Sequence, residues 1–389
     1  MKDGIVDSYM SLDKNISTDV AIIGAGISGA LAAYYLRNTG LSIAVFDRRH
    51  VGMGSTAAST AFLQYEIDTP MTELCKHVGE KHAVKSYRLC RKAIYDIEKI
   101  TNGLKPALDF HIRPSLQYAS FRKHKERLYN EYKFRLKYGF KVDWLEPEDV
   151  QKKFGFDAPG AIFSKDGGEV DAYLLTHALL KAFHTRGHGV FNNTNISRIV
   201  NGKKIITLHT DTGLAVRVRK LIIACGYEST KYVPKKIADI YSTYAMVSEP
   251  IAQKYLWHEN SLVWETATPY MYFRIVSGNR VLIGGKDDKF YNPAVRDSRI
   301  KRKTEMLQHS FLKKMGNIPL KPDFSWAGAF AVTKDGLPYI GSLPGKPNTF
   351  FALGFGGNGI TFSAIAAGII RDMLLNRRNN NAHLFDFNR

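Results

Sequence analysis

A short apolar run, Val20-Ala21-Ile22-Ile23, passes directly into Gly24-Ala25-Gly26-Ile27-Ser28-Gly29. No other feature of the chain constrains its fold as much. The run is continuous rather than alternating, which suits a parallel strand buried on both faces. A helical pattern follows through Leu31, Tyr34, Tyr35 and Leu36 and stops at Asn38-Thr39-Gly40. A second apolar run, Ser42 to Phe46, ends in Asp47. Each glycine answers a physical need. Gly24 permits the tight turn off the strand, Gly26 lets the backbone approach a pyrophosphate, and Gly29 allows close packing of helix on strand. The pyrophosphate then sits at the helix N-terminus, where free N–H groups and the positive end of the dipole point at it. Asp47, about 20 residues on, accepts from a ribose hydroxyl pair, and its charge disfavours a 2′-phosphate and hence NADP.

The fingerprint alone does not choose between FAD and NAD. The segment Gly52-Met53-Gly54-Ser55-Thr56-Ala57-Ala58-Ser59-Thr60 follows the second strand at once and offers amides and hydroxyls for further phosphate contacts. A plain NAD domain would place another helix and strand there. A second glycine turn, Gly354-Phe355-Gly356-Gly357-Asn358-Gly359, lies late, between a strand at 349–353 and a helix at 360–375. Too little chain remains for another βαβ unit, which needs a crossover of a dozen or more residues. The turn is therefore expected to bring a helix N-terminus to the N1–C2=O end of a flavin, where the dipole favours negative charge.

The 389 residues suit two domains, or one interrupted by another. The net charge of +19 would attract anions, but the clusters are short: Arg217, Arg219 and Lys220, and Lys301, Arg302 and Lys303. They read as solvated faces, and nucleic acid is not expected as a partner. The three cysteines, Cys75, Cys90 and Cys225, form no metal spacing and suit a reducing, cytoplasmic setting. No metal site is expected. The first residues lack the apolar stretch of a signal peptide, and no window is long and apolar enough for a membrane span.

Taken in order, several segments resemble the D-amino acid oxidase-like (DAO) family of FAD-dependent oxidoreductases, which includes glycine oxidase and monomeric sarcosine oxidase. They are the first fingerprint, Gly54-Ser55-Thr56, Gly168-Glu169-Val170-Asp171 before a helix, Ile222 to Gly226, Trp326-Ala327-Gly328, Thr333 to Gly341, and Gly354 to Thr361. The likeness covers nearly the whole chain. It implies an α/β fold (α+β overall), with a Rossmann-like FAD-binding domain interleaved with an antiparallel-sheet substrate domain. The FAD-binding domain would take residues 1–80, 160–235 and 325–389, and the substrate domain 81–159 and 236–324. Alternating segments between Tyr241 and Gly285, and a helical pattern from Asp297 to Lys314, agree with that division. The resemblance assigns cofactor contacts to Gly24, Gly26, Ile27, Ser28, Gly29, Asp47 and Arg48 in the first unit. Gly54, Ser55 and Thr56 follow in the loop, then Ala224, Gly226 and Gly328. Gly356, Gly357, Asn358, Gly359, Ile360 and Thr361 complete the set at the late helix.

The departures from the family are informative. Sarcosine-oxidising members attach flavin through a cysteine near the position of Gly328, and dimethylglycine-oxidising ones through a histidine where Ala57-Ala58 stands here. Neither residue is present, so the FAD is expected to be noncovalent. Phe330 and Gly357 replace the arginines that hold a carboxylate in glycine oxidase. Thr361 and Leu282 replace the sarcosine-type carboxylate and oxygen-activating lysines.

With a flavin carrying the redox chemistry, the protein has to orient the substrate. Tyr270, Tyr272 and Arg274 alternate on one strand face, and Gln64, Glu66 and Asp68 alternate after the Ser/Thr loop. Tyrosine faces with Glu66 or Asp68 suit an amine cation, whereas Arg274 suits a carboxylate or phosphate. His111, His177, His184 and His188 form no metal or triad set; His184 and His188, four apart, could share a helix face but no third ligand or nearby acid follows them, and Asp287-Asp288 reads as a turn-fixing pair. The expected activity is oxidation of the CH–NH bond of a small amine or amino-acid derivative, with O2 or an unknown group as electron acceptor. The rivals are a flavoprotein oxidising a hydroxy acid or phosphorylated alcohol, a tRNA-directed flavoenzyme, and a module that holds FAD without turnover.

Overall fold

The structure, a computed structural model, describes residues 6–105, 108–316 and 318–389. It holds two sheets with a cavity between them. The first sheet has eight strands. Its centre is Ile16–Ile23, flanked in parallel by Ile43–Phe46 and Ala215–Ile223. Lys346–Leu353 continues the parallel set on one side and Gly189–Phe191 on the other. Tyr339–Leu343 and the hairpin Ile196–Asn201 and Ile206–Thr210 are antiparallel additions.

The continuous apolar run now has its reason. Val20 and Ile22 face a cluster shared with the helices Ile27–Leu36, Ala172–His184 and Gly359–Leu374. Ala21 and Ile23 face a second cluster with Phe46, Val216, Val218 and Phe351. All four strand residues are buried because both faces of the sheet are covered. The registers Ile23↔Ile223 and Ile23↔Phe46 bring the carboxyl ends of three strands level, and Phe351 pairs beside Ile223. Ligands of open parallel sheets bind outside those ends, where the strand order reverses.

The second sheet has nine strands and runs Pro322–Val332, Asp239–Pro250, Arg280–Asp288, Met271–Val276, Leu262–Glu265, His111–Tyr118, Ala161–Glu169 and Phe62–Leu63, with Val142–Leu145 on Ala161–Glu169. All pairs are antiparallel except Leu262–Glu265 on His111–Tyr118, which is parallel. The expected antiparallel sheet is present, with one parallel pair between strands far apart in sequence. Ala161–Glu169 and Pro322–Val332 pair in this sheet. The helix Ile300–Met315 covers one face, with Leu307 and Phe311 against Phe273 and Ile283. Lys303 on this helix is buried against Asp288, not part of a solvated face as expected. No helix among the described residues is long and apolar enough to cross a membrane.

Candidate functional site

The cavity has a volume of about 1280 Å³. That exceeds the roughly 300–1,000 Å³ of ordinary small-molecule sites, and leaves room for a large cofactor and a substrate together. Its dinucleotide end is the turn after the first strand. Gly24 has φ +105, and a Cβ there would lie 2.5 Å from the Ala224 carbonyl. Gly26 is the N-cap of the first helix, in extended conformation and with no side-chain cap. The Ile27 amide donates to Thr56 Oγ1 at 2.9 Å, which closes the Ser/Thr loop over the helix start. The loop's far end is tied to the second sheet. Trp326 Nε1 donates to the Ala58 carbonyl at 2.9 Å, and Thr60 Oγ1 lies 3.0 Å from the Tyr272 hydroxyl.

Asp47 is fixed by two backbone amides, Ala25 at 2.8 Å and Arg49 at 2.9 Å. Burial raises its pKa, and those amides oppose the rise. Each carboxylate oxygen retains a lone pair for a ribose hydroxyl. Arg48 and Arg49 both reach Glu228 at the rim. At the other helix, Gly359–Leu374, there is no side-chain cap and no acid in the first turn. Gly359, Ile360 and Thr361 line the cavity, so the orphan amides of that helix start face it. Two uncapped helix N-termini, a ribose-accepting carboxylate and a glycine where the backbone must be approached fit a dinucleotide with a ring system between the sheets.

Of the expected cofactor contacts, every one except Gly29 lines the cavity. A Cβ on Gly29 would fall 1.8 Å from the Gly24 carbonyl, so this glycine packs closely against the turn. Glu66, Asp68, Tyr270 and Tyr272 also line the cavity, and Arg274 does not. Arg274 is buried, with one guanidinium nitrogen 2.8 Å from Glu169 Oε2 and its Nε donating to the Thr60 carbonyl at 3.0 Å. Arg113 holds the other Glu169 oxygen at 2.8 Å. The expected anion clamp is therefore a brace between Ala161–Glu169 and the Ser/Thr loop. Glu66 is likewise diverted, reaching the buried Arg135 at 3.4 Å. Burial raises its pKa more than Arg135 lowers it.

Asp68 accepts from the Gly357 amide at 2.8 Å, and burial raises its pKa against that bond. The rings of Tyr270 and Tyr272 lie 6.0 Å apart, and Phe62 stacks on Tyr272 at 5.6 Å. Sequence reasoning missed Trp264, Glu265, Arg127, Arg296 and Asp287, which also line the cavity. Arg127 is exposed, and Arg296 is bound to Asp297 at 2.7 Å. The acid pair at 287–288 divides. Asp288 is held by Lys303, Arg299 and Tyr244 as a structural acid, whereas Asp287 lies on the cavity wall. The Gly284-Gly285 step within a strand pattern was the available signal, since glycines there mark bulges. His184 and His188 do not share a helix face. His184 ends its helix, and its Nδ1 lies 2.8 Å from the His188 carbonyl.

Residues 19–373 match the DAO family, FAD dependent oxidoreductase. Glycine oxidase of Geobacillus kaustophilus is 24% identical over 92% of this chain and 92% of its own. Gamma-glutamylputrescine oxidoreductase of Escherichia coli is 21% identical over 94% of this chain and 85% of its own. The solved structure of L-proline dehydrogenase from P. horikoshii superposes with a TM-score of 0.80 at 17% identity, covering 96% of this chain and 97% of the other.

Proposed function

The chain belongs to the DAO family of FAD-dependent oxidoreductases, and on that premise we propose that it oxidises the CH–NH bond of a small amine held as a cation. The supporting observation is the charge of the substrate end. Asp68, Glu265 and Asp287 line it, together with Tyr270, Tyr272 and Trp264, while Glu66 beside them is paired with Arg135. The cations on the cavity wall are either exposed, as Arg127 is, or already paired, as Arg296 and Arg48 are. Burying a substrate carboxylate beside these acids, with no buried unpaired cation among the described lining residues, is unfavourable by several kcal/mol, on the order found for unpaired buried ions. An ammonium with an aromatic wall is favoured by the same surroundings. The oxidation of a hydroxy acid or phosphorylated alcohol loses its support, because Arg274, the guanidinium expected to hold the anion, is paired with Glu169 and does not line the cavity.

FAD, bound noncovalently, supplies the two-electron acceptor. The chain's own residues do the rest in this reading. Asp68 and the tyrosine rings orient the ammonium. Phe62, Tyr272 and Trp326 close the wall beside the Ser/Thr loop and exclude water. The resting setting is taken to be the reducing cytoplasm, which suits the free thiols of Cys75, Cys90 and Cys225.

A matched pair of unreactive ligands tests the charge preference. The tert-butylammonium ion has no α-hydrogen, and pivalate has nearly the same shape with the opposite charge. Titration of the FAD-loaded protein with tert-butylammonium should perturb the visible flavin spectrum to saturation, and pivalate should leave it unchanged. The reverse order would contradict the proposal.

A further inference from the structure

We propose that Asp287 is the catalytic acid–base residue of this site, accepting a proton from the substrate ammonium so that the amine is oxidised in its neutral form. This deepens the amine-oxidising reading and rests on it. The first observation is a bulge. In the pairing of Asp239–Pro250 with Arg280–Asp288, Ser242 faces Asp288 and Tyr244 faces Gly285. Lys286 and Asp287 thus oppose the single residue Thr243. Such an insertion turns a side chain out of the regular alternation, and bulges collect beside active sites for that reason. Gly285 has φ +118 and Lys286 φ +54, an uncommon conformation for a lysine. The Lys286 amide is pinned to the Tyr270 carbonyl at 2.9 Å. The distorted backbone therefore delivers Asp287 to the wall beside Tyr270.

The second observation is a bare oxygen. Asp287 Oδ1 is buried and, among the described residues, accepts no hydrogen bond, in a side chain that lines the cavity. A buried acceptor without a partner calls for an explanation, and an absent ligand is one. The neighbouring cation does not provide it. Lys303 Nζ donates to the Lys286 carbonyl at 2.6 Å and to Asp288 at 2.8 Å.

Burial is the largest influence on the Asp287 carboxyl and pushes its pKa up to about 6. The hydroxyls of Thr243 and Tyr270 and the charge of Lys303 hold it down, and the Asp68 carboxylate pushes it up. A base with that affinity is charged near neutral pH and returns its proton readily, as efficient proton transfer requires. In the step itself, one N–H bond of the ammonium breaks and an O–H bond forms on Asp287, with the nitrogen keeping the electron pair. With FAD bound, the cofactor would supply the two-electron acceptor for the neutral amine, and the proton taken from its nitrogen stays on Asp287.

The test is the anaerobic rate of flavin reduction by an amine across pH, in wild-type protein and in Asp287→Asn. The wild type should lose kcat/KM as pH falls through about 6, because protonated Asp287 cannot accept. Asp287→Asn should keep its FAD and melting temperature, lose on the order of 100-fold or more in reduction rate, as removal of a general base does, and lose the limb near pH 6. Tyr270→Phe removes a donor to the carboxylate, so its limb should move to higher pH. Should Asp287→Asn fail to fold, that shift carries the test alone. A wild type that amines reduce, with an Asp287→Asn variant equally fast and the limb intact, or a Tyr270→Phe limb that does not move, overturns this assignment alone. A wild type that no amine reduces overturns the functional reading beneath it.

Discussion

Arg135→Ala is expected to lose about 3–5 kcal/mol of stability, the usual consequence of removing one partner of a buried ion pair. Arg135 is almost wholly inaccessible, at 1% exposure. Its Nε donates to Glu131 at 2.8 Å, and its two terminal nitrogens reach Glu66 at 3.4 Å and Gln117 at 3.1 Å. The rings of Tyr65 and Tyr87 lie 5.9 Å from the guanidinium. Glu131 also accepts from the amides of Met71 and Thr72, both at 2.9 Å, and so fixes the start of the helix Met71–Val78. Burial pushes the Glu131 carboxyl up, but Arg135 and the Thr72 donors outweigh it and hold the group below its ordinary range. Without Arg135, Glu66 and Glu131 would both be buried acids without a counter-charge, and both pKa values would rise. A raised folded-state acid pKa withdraws stability as pH increases past the unfolded value. The deficit of the variant, read from urea unfolding midpoints, should therefore be larger at pH 8 than at pH 5, and Glu131→Gln in the same chain should recover part of it. A deficit independent of pH would show that the loss is one of packing. The effect should reach the site as well. Asn358 Nδ2 donates to the carbonyls of Glu66 at 2.8 Å and Gln64 at 3.2 Å, so the segment braced by Arg135 also positions the late helix start.

Gly26→Val should abolish FAD binding at working concentrations while leaving the chain folded. Gly26 sits at the uncapped start of the first helix, and a Cβ there would lie 2.9 Å from Thr56 Oγ1. Thr56 would have to move, and it is the residue that closes the loop onto the Ile27 amide. A branched side chain would also stand where a pyrophosphate has to meet the backbone. Losing two charge-assisted bonds of about 1.5–3 kcal/mol each weakens binding by on the order of 10²–10⁴-fold. The backbone of Gly26 is extended, so valine introduces no strain of its own. Flavin released per mole of purified protein, beside a melting curve, separates the two effects. Wild-type flavin content in the variant would remove this turn from the cofactor site.

The first strand–turn–helix was legible because its constraints are local. A buried parallel strand needs an unbroken apolar run, and the turn needs Gly24 at a left-handed φ. Asp47 and the Gly354 turn could be read in the same way, from what stands just before and after them. Arg274 could not. Its partner Glu169 is 105 residues away on another strand, and no periodicity announces that pairing. Alternation placed Arg274 on the face of Tyr272 correctly, but gave no sign that Glu169 would occupy it. Glu66 is the same case, captured by Arg135 across 69 residues. Asp287 and Asp288 look alike in sequence, and only the bulge opposite Thr243 separates an acid paired with Lys303 from one facing the cavity. Gly29 was legible too, since the close packing expected of it is its approach to the Gly24 carbonyl.

The central claim, that a cation-binding flavoenzyme oxidises amines here, is tested most directly by anaerobic mixing of the FAD-loaded wild-type protein with matched small reductants while the visible flavin band is followed. Primary and secondary alkylamines lacking an α-carboxylate should bleach it, with a rate that rises through about pH 6 and then levels off. Glycine, sarcosine, lactate and glycerol phosphate should leave it largely oxidised. Rapid bleaching by one of those carboxylates or phosphates, with every simple amine inert, would contradict the account.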